Sequence, residues 1–313
     1  MSWLELSVRC ARPAWPRLEA ALEELGALSV TLLDAEDAPI LEPGPGETPL
    51  WPELVANALF DADIDRRGLL AALRELAPAF DETRATFRIV EDADWTRAWM
   101  DTFRPMRFGA RLWIYPSNIE PPVDDGAVVV RLDPGLAFGT GTHATTALCL
   151  EWLDGLARGD GSASLRAGSG LRPLLQDARV LDFGCGSGVL AIAAVKLGAA
   201  EAIGVDNDPQ ALVATADNAA RNDVAGRAHA IAADAEPLAP ASFDVVVANI
   251  LAGALIELAP TLVALAKPGA PIALSGILPE QAPEVVACYA PYCEALETTE
   301  RDGWVRVSGV CRA

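Results

Sequence analysis

Leu181-Asp182-Phe183-Gly184-Cys185-Gly186-Ser187-Gly188 is the stretch whose reading decides the fold. The apolar run Arg179 to Phe183 has the length and composition of a buried strand, and Val189 to Leu197 is an Ala-rich helical segment. A strand, a glycine turn and a helix N-terminus in succession let a ligand lie against bare backbone and its N–H groups. The spacing then selects among ligands. A dinucleotide fingerprint requires G-x-G-x-x-G, whereas here the third glycine falls at 188 and Val189 stands where that pattern needs glycine. An NAD-dependent oxidoreductase is therefore the alternative that the turn argues against.

Asp206 ends the next strand, Ala202 to Asp206, about 20 residues after the glycines, where a carboxylate can accept hydrogen bonds from both ribose hydroxyls. Its other reading is a helix N-cap, a role for which Asn207 and Asp208 also compete ahead of Pro209. Outward from this pair, strands and helices alternate. Helices are expected over Val189 to Leu197, Pro209 to Asn222 and Ala254 to Ala266, and strands over Ala228 to Ala232, Val245 to Asn249 and Pro271 to Ser275. This predicts an α/β, doubly wound, mostly parallel Rossmann-like sheet over 133–313. Two further strands around the hairpin signal Asp302-Gly303 should close it antiparallel. Residues 157–178 are rich in Gly and Ser and read as a flexible surface insert without catalytic residues.

Residues 1–92 read differently. Strands at 3–10, 28–33, 54–60 and 86–90 and helices at 13–26 and 66–76 give β-α-β-β-α-β, a smaller α+β ferredoxin-like domain. Pro39, Pro43, Pro45, Pro49 and Pro52 with Gly44 and Gly46 mark the segment 37–52 as a loop. Residues 93–132 form the connector, with a helix over Glu91 to Phe103 and strands at 112–115 and 127–132. Trp95, Trp99 and Phe103 recur every four residues along that helix, a stripe suited to packing rather than to a ligand.

Val245-Val246-Val247-Ala248-Asn249-Ile250-Leu251-Ala252 places a polar amide at the end of an apolar strand, where strand C-termini line the crevice of such sheets. The glycine spacing after Asp182 resembles the nucleoside-binding turn of class I S-adenosylmethionine-dependent methyltransferases. In members of that superfamily acting on amide or amine nitrogen, the position of Asn249 is followed by Pro-Pro and an aromatic. Ile250, Leu251 and Ala252 replace them here. That Asn-Ile-Leu-Ala string, with WTRAWMDTFRPMRFG over Trp95 to Gly109, LDPGLAFGTGTHATT over Leu132 to Thr146 and Leu258 to Pro260, is similar to the ribosomal protein L11 methyltransferase (PrmA) family. The resemblance spans the connector and the C-terminal domain; the N-terminal domain matches in pattern more than in motif.

The resemblance implies S-adenosyl-L-methionine as cofactor, held by Thr146, Asp182, Gly184, Gly186, Gly188, Asp206, Asp234 and Asn249. Asp234 would lie near the adenine and Thr146 near the methionine end, under a loop at 138–146. Asn249 would be the catalytic residue, its carbonyl accepting an N–H of the amine. The substrate would be a basic ribosomal protein of the large subunit, methylated on its N-terminal amine and lysines and docked by the N-terminal domain. A methyltransferase for another protein or a small molecule is the alternative, and a non-catalytic binding protein a weaker one. The 138–146 segment also reads as a tight turn with Thr142 as N-cap, and His143 as a turn or packing residue rather than a base.

Composition narrows the partners. The net charge of −20 over 313 residues, without a Lys/Arg cluster, disfavours direct nucleic-acid binding. It suits a basic protein partner, or simply keeps the chain soluble. The 51% hydrophobic content contains no run near the roughly 20 residues that span a bilayer. With no signal-peptide pattern, a cytoplasmic monomer is expected. Six scattered cysteines and two histidines give no metal-ligand spacing, so no metal is expected.

Overall fold

A computed structural model describes residues 2–36, 50–91, 104–121, 126–133, 142–159, 173–235 and 238–312. The Trp95/Trp99/Phe103 stripe, most of the Pro-rich loop, the loop at 134–141 and the centre of the Gly/Ser insert lie outside the described residues. The chain divides into two compact units, Met1–Trp95 and Thr96–Ala313.

In the first unit β1 (Ser2–Ala11), α1 (Trp15–Glu24), β2 (Ser29–Asp34), β3 (Glu53–Asp61), α2 (Arg66–Leu76) and β4 (Ala85–Glu91) follow the expected order. The strands pair antiparallel in the order β2-β3-β1-β4. Alternation drives this arrangement. Leu4, Leu6, Val8 and Cys10 face one side of β1, in register with Phe60, Ala58, Ala56 and Leu54 of β3, and all are buried. Leu18 and Leu22 of α1 and Leu69 and Leu73 of α2 complete that core, each buried leucine contributing roughly 1.5–3 kcal/mol. Glu91, expected to open a helix, instead ends β4.

The second unit opens with a small sheet of β5 (Met106–Phe108), β6 (Leu112–Tyr115) and β7 (Val128–Arg131). Its Phe108, Leu112, Ile114 and Val130 share a core with Leu150 and Leu153 of α3 (Ala144–Arg158). The carboxylate of Asp154, buried on α3, accepts from Ala110 N at 2.7 Å and Arg158 Nε at 3.0 Å and so pins the β5–β6 turn.

The large sheet follows: β8 (Arg179–Phe183), α4 (Val189–Lys196), β9 (Glu201–Asp206), α5 (Pro209–Arg221), β10 (Ala228–Ala232), β11 (Val245–Asn249), α6 (Ala252–Glu257), α7 (Ala259–Leu265), β12 (Pro271–Ile277), α8 (Ala282–Tyr289), β13 (Cys293–Arg301) and β14 (Trp304–Cys311). Its order is β10-β9-β8-β11-β12-β14-β13, parallel from β10 to β12, with β14 antiparallel to both neighbours. The expected doubly wound α/β sheet is therefore present. Val245 to Ala248 are fully buried, as parallel strands covered on both faces must be. The chain steps outward from β8 to β10, then returns to β11 on the other side of β8. The switch point, and with it the ligand crevice, lies between β8 and β11.

The helix expected over 254–266 is two helices, α6 and α7. Pro260 has no N–H for the carbonyl four residues back, and its ring opposes that carbonyl, so the chain breaks at Leu258 and restarts with Pro260 in a first turn. Asp302 and Gly303, with φ of +49° and +75°, form the expected hairpin turn. Among the described residues no helix is long and apolar enough to cross a membrane.

Candidate active site

Gly184, Gly186 and Gly188 adopt φ of +76°, +52° and +75°, left-handed values that side chains with a Cβ resist. Gly184 N and Cys185 N both donate to Val205 O, at 2.7 and 3.2 Å, which docks the turn on β9. The Asp206 carboxylate completes the attachment: Oδ2 accepts from Gly186 N at 2.9 Å and Oδ1 from Asp208 N at 3.0 Å. Asp208, not Asp206, caps α5, accepting from Gln210 N at 2.9 Å with Pro209 in the first turn. Asp206 thus sits at the rim of the crevice, part-buried, with acceptor capacity beyond these two bonds.

Asp182 is fully buried one strand inward. Its Oδ2 accepts from Ala191 N at 3.0 Å in α4, while Oδ1 is buried without a hydrogen-bond partner among the described residues. Desolvation pushes its pKa up to about 7, the Ala191 N–H opposes the shift and the charge of Asp206 adds to it. A carboxylate oxygen left without a donor behind a glycine turn fits a ligand that brings N–H or O–H groups or positive charge.

On the other side of the switch point, Asn249 ends β11, and its Nδ2 donates to Thr146 Oγ1 of α3 at 3.3 Å. Ser275, opposite Asn249 on β12, is buried and donates through Oγ to Thr145 O at 3.3 Å, fixing the first turn of α3. The N-cap of α3 is His143 rather than Thr142: the ring accepts from Thr145 N and packs edge-on to Trp304 at 4.8 Å. Burial lowers the His143 pKa, so the neutral ring that capping requires is favoured. Ile250 joins the two halves of the crevice, since a Cβ at Gly184 would overlap its Cγ2 and one at Gly276 (φ +91°) would overlap its carbonyl.

The structure therefore gathers Gly184, Gly186 and Gly188 into a turn tied to β9 through Val205 and Asp206, with Asp182 buried at its base and bonded to Ala191, and pairs Thr146 with Asn249, the two halves bridged by Ile250. Asp234 stands apart, exposed in the turn after β10. Among the described residues no group of three His, Cys, Asp or Glu side chains is arranged to hold a metal.

The family described as "Ribosomal protein L11 methyltransferase (PrmA)" matches residues 2–312. The chain belongs to the ribosomal protein L11 methyltransferase family. A ribosomal protein L11 methyltransferase from Stenotrophomonas maltophilia is 56% identical over 321 residues, covering 100% of both chains. Another from Xanthomonas axonopodis pv. citri is 52% identical over 320 residues, again covering 100% of both. A crystal structure of ribosomal protein L11 methylase from Lactobacillus delbrueckii subsp. bulgaricus is similar with a TM-score of 0.51 at 28% identity, covering 67% of this chain and 100% of that one. The family resemblance and the methyltransferase fold expected from the sequence are thereby borne out. As a member of the PrmA family, the chain is an S-adenosylmethionine-dependent protein methyltransferase. The orphaned Asp182 oxygen and the Cβ-free turn fit that cofactor.

Sequence reasoning overlooked Thr215, Asn218 and Asn222 on the helix after Asp206. All three are buried and bonded to backbone of the turn or of β7. Their signal was available: polar side chains at helical spacing on the face that packs against the sheet.

Proposed function

We propose that this chain transfers methyl groups from S-adenosylmethionine to amino groups of ribosomal protein L11, the N-terminal amine and lysine side chains, with Asn249 aiming the nucleophile. The observation that carries this reading is the Asn249–Thr146 pair at the C-terminal end of β11. With Nδ2 engaged as donor to Thr146 Oγ1, the amide keeps Oδ1 as an acceptor for a substrate N–H. An ammonium has no lone pair to attack with, so an acceptor that bonds to the neutral amine both selects its reactive form and orients it. Ile250, Leu251 and Ala252 follow where a planar-amide clamp would need two prolines and an aromatic, and aliphatic side chains suit an aliphatic amine.

S-adenosylmethionine supplies a methyl group on a positively charged sulfur. Gly184, Gly186 and Gly188 would give it close backbone, Asp206 would take the ribose hydroxyls and Asp182 would balance positive charge. Thr146 would meet the methionine end and Asp234 the adenine. The domain over 1–92 would dock the substrate; residues 1–100 carry about ten more acidic than basic side chains, which favours a basic ribosomal protein.

The test is intact-mass analysis of purified L11 incubated with the protein and S-adenosylmethionine. Mass gains of whole methyl groups, mapped to the N-terminus and lysines, are expected. L11 left unmodified would overturn the assignment. Turnover surviving in Asn249→Ala would remove the role given to Asn249 alone.

A further inference from the structure

α5 presents a polar stripe on its buried side. Thr215, Asn218 and its C-cap Asn222 are 0%, 7% and 3% exposed, at spacings that share one helix face. A helix packed on a sheet ordinarily fills that face with aliphatic side chains. Here each polar group grips backbone instead. Thr215 Oγ1 donates to Gly186 O at 3.1 Å and Asn218 Nδ2 to Ser187 O at 2.9 Å, so two consecutive peptides of the glycine turn are held from behind. Asn222 accepts from Arg131 N and donates to Arg131 O, both at 2.7 Å, and so acts as a strand partner for β7.

We propose that Thr215 and Asn218 are positioning residues for S-adenosylmethionine, presetting the glycine turn. Three glycines in left-handed conformations have many alternatives of similar energy, so an unanchored turn would have to be ordered by the ligand. A trans peptide carries its N–H opposite its C=O. Drawing Gly186 O toward Thr215 therefore directs Ser187 N–H to the side away from α5. Thr215 also occupies the space a Cβ on Gly188 would need, with its Cγ2 and Oγ1 both 2.7 Å from that position. The hydroxyl, not the packing volume, is what reaches the turn carbonyl. This inference rests on the assignment of the glycine turn to S-adenosylmethionine.

Thr215→Val keeps the volume and removes the hydroxyl; Thr215→Ser keeps the hydroxyl and removes the methyl. Calorimetric binding of S-adenosylhomocysteine is expected to weaken about tenfold in Thr215→Val and to stay within about twofold in Thr215→Ser. Methylation at saturating cofactor should change less than the KM for cofactor. Without ligand, hydrogen exchange at 185–188 should accelerate in Thr215→Val only. Equal binding by wild type and Thr215→Val, or an equal loss in both variants, would overturn the proposal, the second outcome meaning that packing alone matters. If Thr215→Val fails to fold, Asn218→Ser gives the same two readouts, and wild-type affinity with unchanged exchange sinks the idea. Failure of the wild type itself to bind S-adenosylhomocysteine would instead refute the cofactor assignment, which separates the two.

Discussion

Asp182 makes a pH signature that a surface carboxylate does not. Its folded pKa of about 7 lies above its ordinary value of 3.8, so between these values the folded chain binds a proton that the unfolded chain has released. Stability therefore falls as pH rises through that window and is lowest, with respect to this group, above pH 7. The ligand-free protein should show a melting temperature that declines from about pH 4 to about pH 7, and Asp182→Asn should flatten that slope. A wild-type slope retained in Asp182→Asn, followed by scanning calorimetry, would assign it to another group. Asp206 predicts differently, because its carboxylate both tethers Gly186 and faces the crevice. Asp206→Ala should weaken S-adenosylhomocysteine binding by at least about a hundredfold in a chain that still folds, as loss of charge-assisted bonds demands. An unchanged calorimetric affinity would remove it from the site.

At the scale of elements, the glycine turn has no spare room. Gly184→Ala would place a Cβ at φ +76° and against Ile250, at a cost of about 2 kcal/mol or more. Since Ile250 adjoins Asn249, turnover should fall further than stability alone explains, which denaturant melts beside single-turnover rates would reveal. Removing the α3 cap with His143→Ala should cost about 1 kcal/mol, read by the same melts. Turn and cap differ in how visible they were beforehand. Gly184, Gly186, Gly188 and the Asp302-Gly303 hairpin were legible because positive φ demands particular residues. The cap was not, because Thr142 and His143 stand side by side and only the bond from Thr145 N to the His143 ring settles which serves. β5 was missed because three residues cannot display an alternation. Asp154 was missed because its partner, Ala110, lies 44 residues away, and no local pattern reports such a contact. The break at Leu258 was misread because Pro260 is compatible both with a kink inside one helix and with the first turn of a second.

For the molecule as a whole, the first unit has a core of its own, from Leu4 to Phe87, closed by its two helices. A chain of residues 96–313 is expected to bind S-adenosylhomocysteine within about threefold of the full-length protein and to leave intact L11 unmethylated. Calorimetry paired with mass spectrometry checks both, and efficient methylation by the fragment would deny the first unit a docking role. The charge of −20 adds a second expectation. The KM for L11 should rise several-fold between about 0.05 and 0.3 M salt while that for the cofactor stays nearly constant, because screening weakens attraction between exposed charges first. Steady-state rates against ionic strength measure this.

β13 is the last strand in the sheet order, so among the described residues one row of its N–H and C=O groups lacks a strand partner. Such a row is a template on which a second molecule can add its own strand and begin an aggregate. Glu294, Glu297, Glu300 and Arg301 charge the strand, and a shift of register between Glu294 and Glu297, with Ala295 at φ +51°, bends it where a neighbour would need it straight. That border of the largest sheet is thereby a poor surface for a second copy of a chain rich in Val, Ile and Ala strands.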